Sequence, residues 1–245
     1  MKKTFLLILL SAIVSLAFIQ APPTDLHKEW NELLKKHVTP SGKVSYKGFI
    51  QDSEKLNSYL RKLEKNPPKS DWKKNDIMAY WINAYNAYTV RLICDNYPVK
   101  SIKEIGGKIP FVNSTWDIKF ITIDGEEMDL NNIEHGKLRK QYKDARVHFA
   151  LVCASKSCPI LRNEAYVGSK LDAQLKDQAV NFLKDPFRNK VDKTNPKLSK
   201  IFDWYGMDFK SKDMTLIQYV NQYSPVKIDE KAKVEYLDYD WGLNE

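Results

Sequence analysis

Ile77-Met-Ala-Tyr-Trp81-Ile-Asn83-Ala-Tyr85-Asn86-Ala-Tyr-Thr-Val90 runs without a formal charge in a chain that is 29% charged overall. A helix that is apolar on all sides is buried on most of them, so this segment is expected to be the central core element. Trp81, Tyr85 and Tyr88 are spaced four and three apart, which reads as core rather than as a ligand platform. Asn83 and Asn86 fall three apart on one helical face amid aromatics. Buried amides need partners, because an unsatisfied one costs about 1 to 3 kcal/mol. They are expected to tether a loop, to bind substrate, or to orient a histidine as an asparagine does in some thiol hydrolases.

Working outward, Pro67-Pro68 closes a preceding helix over 47–65 that turns Phe49, Leu56, Leu60 and Leu63 inward, and Ser70 or Asp71 starts the central helix. Upstream, Thr24 is placed to cap a helix carrying Leu26, Trp30, Leu33 and Leu34, and 44–46 reads as a short strand. Downstream, 116–123 alternates approximately, and Asp124-Gly125 is a hairpin signal. Asp129 caps a helix to about Tyr142, and 147–153 reads as the next strand. Ser169 with Asp172 opens an amphipathic helix ending before Pro186, Leu198 to Trp204 forms a short helix, Asp213 caps 214–223, and 234–241 is a final strand. Helices and strands mix without a β-α-β rhythm. The expected fold class is therefore α+β, a single domain with helices packed on a small, mostly antiparallel sheet around the aromatic-rich central helix.

At the N-terminus, Lys2 and Lys3 precede an apolar run from Phe5 through Ile19, followed by Ala21 and Pro22-Pro23. That is the plan of a secretory signal peptide over 1–21, and Ser11, Ser15 and Gln20 interrupt it as a membrane span. An exported product, periplasmic or secreted, with no membrane span after signal removal is the expectation. Residues 22–69 form an N-terminal helical extension and 70–245 the main domain. The formal charge of +8 falls to +6 once Lys2 and Lys3 are lost. Its lysines are scattered rather than clustered in a stripe, which argues against a nucleic-acid partner.

The chemistry-bearing stretch is His148-Phe-Ala-Leu-Val-Cys153-Ala-Ser-Lys-Ser-Cys158-Pro159. Pro is favoured at the first position of a helix, which would put Cys158 at a cap. There the helix dipole and free amides favour thiolate. The competing reading is a Cys153–Cys158 disulfide, which would abolish the nucleophile; Cys94 is left as a buried thiol. His148 is a poor local base if 148–153 is extended, because five strand steps span about 17 Å. His135 has the better case, on a helix running back beside that strand, while its neighbour Glu134 points about 100° away. Cys153, Cys158, His135 and His148 total four zinc-type ligands, but no Cys-x-x-Cys or His-Glu-x-x-His spacing is present. Neither metal nor cofactor is expected, and there is no Gly-x-Ser-x-Gly elbow.

These segments, with Trp81-Ile-Asn83-Ala-Tyr85-Asn86, Ile133-Glu134-His135-Gly136-Lys-Leu138-Arg139 and the terminal Tyr239-Asp240-Trp241-Gly-Leu-Asn244, resemble the domain of unknown function 547 family from about residue 70 to the C-terminus. Gly242 stands where that pattern has Ser. The resemblance implies a family of exported bacterial proteins and of plant and animal proteins, without a transferable activity. Two function classes are therefore carried. In one, a Cys/His hydrolase or acyl transferase acts on a peptide, amide or ester, with Cys158 attacking, His135 or His148 as base and Asn83 or Asn86 orienting it. In the other, a disulfide-braced, non-catalytic domain binds a small-molecule, peptide, glycan or protein partner.

Overall fold

Residues 26–106 and 114–245 are described by the computed structural model; the signal-peptide segment and the Thr24 cap lie outside them. The first helix, α1 (Lys28–His37), buries Trp30, Leu33 and Leu34 on one face. Ser45 caps α2 (Tyr46–Gln51) by accepting from the Gly48 N–H at 3.2 Å, so the strand expected at 44–46 is reduced to a single bridge between Val38 and Val44. The helix expected over 47–65 is split. Asp52 leaves helical geometry between α2 and α3 (Ser53–Lys65), and its carboxylate accepts from Lys36 at 2.7 Å and His37 at 2.6 Å.

The central helix α4 (Lys74–Asn96) begins a few residues later than Ser70 or Asp71 and is buried almost without interruption from Met78 to Ile93. At 1.5 Å per residue it is about 35 Å long. Trp81, Tyr85 and Tyr88 are core residues.

Strands β1 (Ile121–Ile123) and β2 (Glu126–Met128) pair antiparallel across Asp124-Gly125. Both turn residues have positive φ, 55° and 72°, as the tight hairpin turn requires. Asp129 Oδ1 accepts from the Asn132 N–H at 2.6 Å and opens a π-helix, Asn132–Arg139, continued by α5 (Lys140–Tyr142). Further on come α6 (Leu171–Lys184), β3 (Lys197–Leu198), α7 (Ile201–Trp204), α8 (Leu216–Tyr223) and β4 (Glu235–Tyr236). The cap of α8 is Thr215 with Gln218, rather than Asp213. No cap hydrogen bond comes from Ser169 at α6, which is entered through a 3-10 turn at Gly168–Lys170. The expected final strand shortens to β4, which pairs parallel with β3.

The protein is thus a single α+β domain in which helices dominate and the sheet component is one hairpin and one two-residue parallel pair. One core gathers α1 to α4, the hairpin and the π-helix, so the N-terminal helices share it with α4. A second gathers Phe149, Phe182, Phe202 and Phe209 with α8. The segment 145–153 lies between them: Val147 and Ala150 face the first and Phe149 the second. Among the described residues no helix is long and apolar enough to cross a membrane.

Candidate functional site

The segment 147–153 is not a strand. Ala145–Phe149 makes a 3-10 turn and the chain then runs irregularly to Cys158. Its partners are side chains: Asn86 donates through Nδ2 to Ala150 O at 2.9 Å and accepts at Oδ1 from the Val152 N–H at 3.1 Å. Gln178 donates to Phe149 O at 3.0 Å. Asn83 does the same for Tyr166, donating to its carbonyl at 2.7 Å and accepting from its N–H at 3.0 Å. Both asparagines spend their amides on backbone, and neither orients a histidine.

Because the segment turns early, His148, Cys153 and Cys158 all line one cavity of about 190 Å³. The spacing argument against His148 therefore fails. The wall also includes Tyr85 on α4, Trp116, Glu134 on the π-helix, and Trp204, Tyr205, Tyr239 and Trp241.

The two cavity thiols have opposite surroundings. No helix follows Cys158; residues 159–167 are irregular, so no helix dipole acts on its sulfur. Cys158 is only 3% exposed, its sulfur accepts from the Cys153 N–H at 2.9 Å, and burial and the adjacent Cys153 thiol push its pKa well up. Cys153 is half-buried, with Sγ 3.1 Å from Ser155 Oγ and 3.2 Å from the Tyr239 hydroxyl. Burial works against its thiolate, but hydrogen bonds from Cys158, Ser155 and Tyr239 outweigh it and bring the pKa down to about 7. The next residue, Ala154, is held at φ 58°, a left-handed conformation that costs a residue with a Cβ about 1 to 2 kcal/mol.

All three cysteines are free, and the Cys153–Cys158 bridge of the competing reading is not formed. The turn is braced by the C-terminal tail instead. Lys156 N–H donates to Gly242 O at 2.8 Å, Asn244 N–H to Ala154 O at 3.2 Å, and Asp240 N–H to Ser157 Oγ at 2.9 Å. Those bonds deliver Tyr239 and Trp241 to the cavity.

His148 is 4% exposed. Its Nε2–H donates to Asp208 Oδ2 at 2.7 Å, and its ring stacks on Tyr205 with centroids 4.0 Å apart. Asp208 also accepts from Arg139 Nε at 2.6 Å and Nη2 at 2.9 Å. His148 first, then Arg139, hold its carboxyl well below the usual carboxylate range. His135 is exposed on the outer side of the π-helix, where its Nδ1 accepts from Arg139 Nη1 at 2.7 Å. It is not in the cavity wall, whereas Glu134, its neighbour, is 5% exposed and faces inward.

Arg139, Tyr205, Asp208, Ser155 and Tyr239 received no role from the sequence. Arg139 and Tyr239 stood inside motifs already singled out; Tyr205 and Asp208 carried no local signal and are brought in from the loop after α7. Among the described residues no group of three or more His, Cys, Asp or Glu side chains is arranged to hold a metal ion.

Fold and site together define an α+β domain built around a thiol-bearing aromatic cavity. Residues 69–183 match the family described as Protein of unknown function, DUF547, and the chain thus carries a domain of that family, spanning α4, the π-helix, His148 and both cavity cysteines. The match ends short of the tail motif at 239–244. No curated protein and no solved structure matches the chain.

Proposed function

We propose that the protein is a thiol hydrolase or acyl transferase acting on an ester, amide or peptide bond, with Cys153 rather than Cys158 as nucleophile and His148 rather than His135 as base. The observation that carries this reading is geometric: a half-buried sulfur 3.1 Å from the Ser155 hydroxyl and 3.2 Å from the Tyr239 hydroxyl, in the same cavity as a histidine tied to a carboxylate. Donation from Nε2–H to Asp208 selects the tautomer whose Nδ1 is free to accept a proton. In the reaction His148 takes the Cys153 proton, and the sulfur bonds to the carbonyl carbon. The tetrahedral adduct collapses with cleavage of the C–O or C–N bond, and the leaving group takes the proton from the imidazolium. Water, or a second hydroxyl or amine, then gives a proton to His148 as it attacks the thioester, and the C–S bond breaks to release the thiolate.

Export to the periplasm or beyond, through a signal peptide over 1–21, belongs to the same proposal and rests on the leader pattern alone.

Alkylation with iodoacetamide at neutral pH, located by mass spectrometry, should label Cys153 in the native protein and leave Cys158 until unfolding. Turnover of an activated ester such as p-nitrophenyl acetate should vanish in Cys153→Ala. In His148→Ala it should fall by about 10²- to 10⁴-fold, and in His135→Ala little. Turnover surviving in Cys153→Ala would leave the cavity as a binding site for a peptide, glycan or protein partner.

A further inference from the structure

The cavity wall has a composition that thiol chemistry alone does not require. Tyr85, Trp116, Tyr205, Tyr239 and Trp241 line it together with the single carboxylate of Glu134, and Trp204, 48% exposed, stands at its rim. Glu134 is itself buried. No lysine or arginine is among the described lining residues. Two cations contact the rings of the wall: Arg139 lies 4.9 Å from the Tyr205 centroid, its charge committed to Asp208, and Lys103 lies 4.4 Å from that of Trp241.

Aromatic faces attract a desolvated cation through their quadrupoles, and a buried cation is tolerated where a carboxylate compensates its lost hydration. A cavity of about 150 Å³ admits benzene, so 190 Å³ suits one compact head group and excludes a folded peptide. The rest of a substrate would leave past Trp204.

We propose that this cavity binds an alkylammonium head group of the substrate, with Glu134 as counter-charge and the aromatic walls as cage, setting the scissile carbonyl at Cys153. The inference rests on the thiol-transfer reading and names its substrate class: esters or amides carrying an alkylammonium group close to the carbonyl.

Tetramethylammonium chloride, titrated against tryptophan fluorescence at constant ionic strength, tests it on the mature chain and on Cys153→Ala, where no chemistry can occur. Saturable binding is expected in both, at least tenfold tighter than that of neutral tert-butanol, and weakened at least tenfold in Glu134→Gln. The unmodified protein supplies a second reading that needs no variant: the cation should protect Cys153 from iodoacetamide in a saturable way, and tert-butanol should not. Equal response to the two probes, or absence of saturation and protection, overturns the cage. If Cys153→Ala abolishes ester turnover while tetramethylammonium fails to bind, the cage falls and the thiol reading stands. If the cation binds while Cys153→Ala retains turnover, the reverse holds.

Discussion

Cys153 and Cys158 are the same residue type five positions apart, and their surroundings drive them in opposite directions. Hydrogen-bond donors converge on one sulfur; the other is walled in and placed beside it. The pH consequence follows in sign. A thiol whose pKa drops from 9.0 to about 7 on folding adds stability that is fully present above pH 9 and is lost as pH falls through 7. Cys158, with its pKa raised, removes stability as pH rises above 9. The Tyr239 hydroxyl is one of the donors, and a hydrogen bond to a charged group contributes about 1.5 to 3 kcal/mol, while one pKa unit corresponds to about 1.36 kcal/mol. Tyr239→Phe keeps the ring and removes the donor. The midpoint of the pH profile of iodoacetamide alkylation at Cys153 should therefore move up by about one to two units, with the fold intact by circular dichroism.

At the scale of elements, α4 acts as a scaffold for backbone that has no sheet to pair with. Asn86 replaces a neighbouring strand for Ala150 and Val152, and Asn83 does so for Tyr166. Asn86→Ala orphans a buried carbonyl and a buried N–H, at about 1 to 3 kcal/mol each. Urea denaturation should show a loss of about 2 to 6 kcal/mol, and Cys158 should become open to alkylation in the native state as the segment loosens. This tethering was among the roles open to the asparagines from their place in an uncharged helix. Their partners were not legible, because an apolar run such as 147–153 looks the same whether its amides pair with a strand or with side chains. The capping signals at Asp129 and the Asp124-Gly125 turn were legible because they act within a few residues.

Across the whole molecule, the cavity opens at the seam between two hydrophobic cores, one organised by α4 and the other by a cluster of phenylalanines. Phe202 is fully buried, 4.8 Å from Phe209 and 5.8 Å from Phe149 between ring centroids. It adjoins Trp204 on α7. Phe202→Ala should cost about 3 to 5 kcal/mol, read as a lowered urea midpoint. It should also reduce labelling selectivity for Cys153 over Cys158, since α7 and the Tyr205 loop lose their footing.

From its residue pattern alone, this chain determined a buried uncharged helix, an α+β class and the cluster of histidine and thiols in which a site would lie. Each depends on interactions close along the chain or on hydrophobic periodicity. Tertiary structure alone decided how the surroundings of the two thiols differ and which histidine shares their cavity. Those outcomes depend on Asp208, Tyr205 and Tyr239, residues some 50 to 90 positions away from their partners, and on the tail that zips onto the 154–158 turn. A proton's affinity for a sulfur is set by atoms within a few ångströms in space, and sequence separation carries no information about which atoms those are.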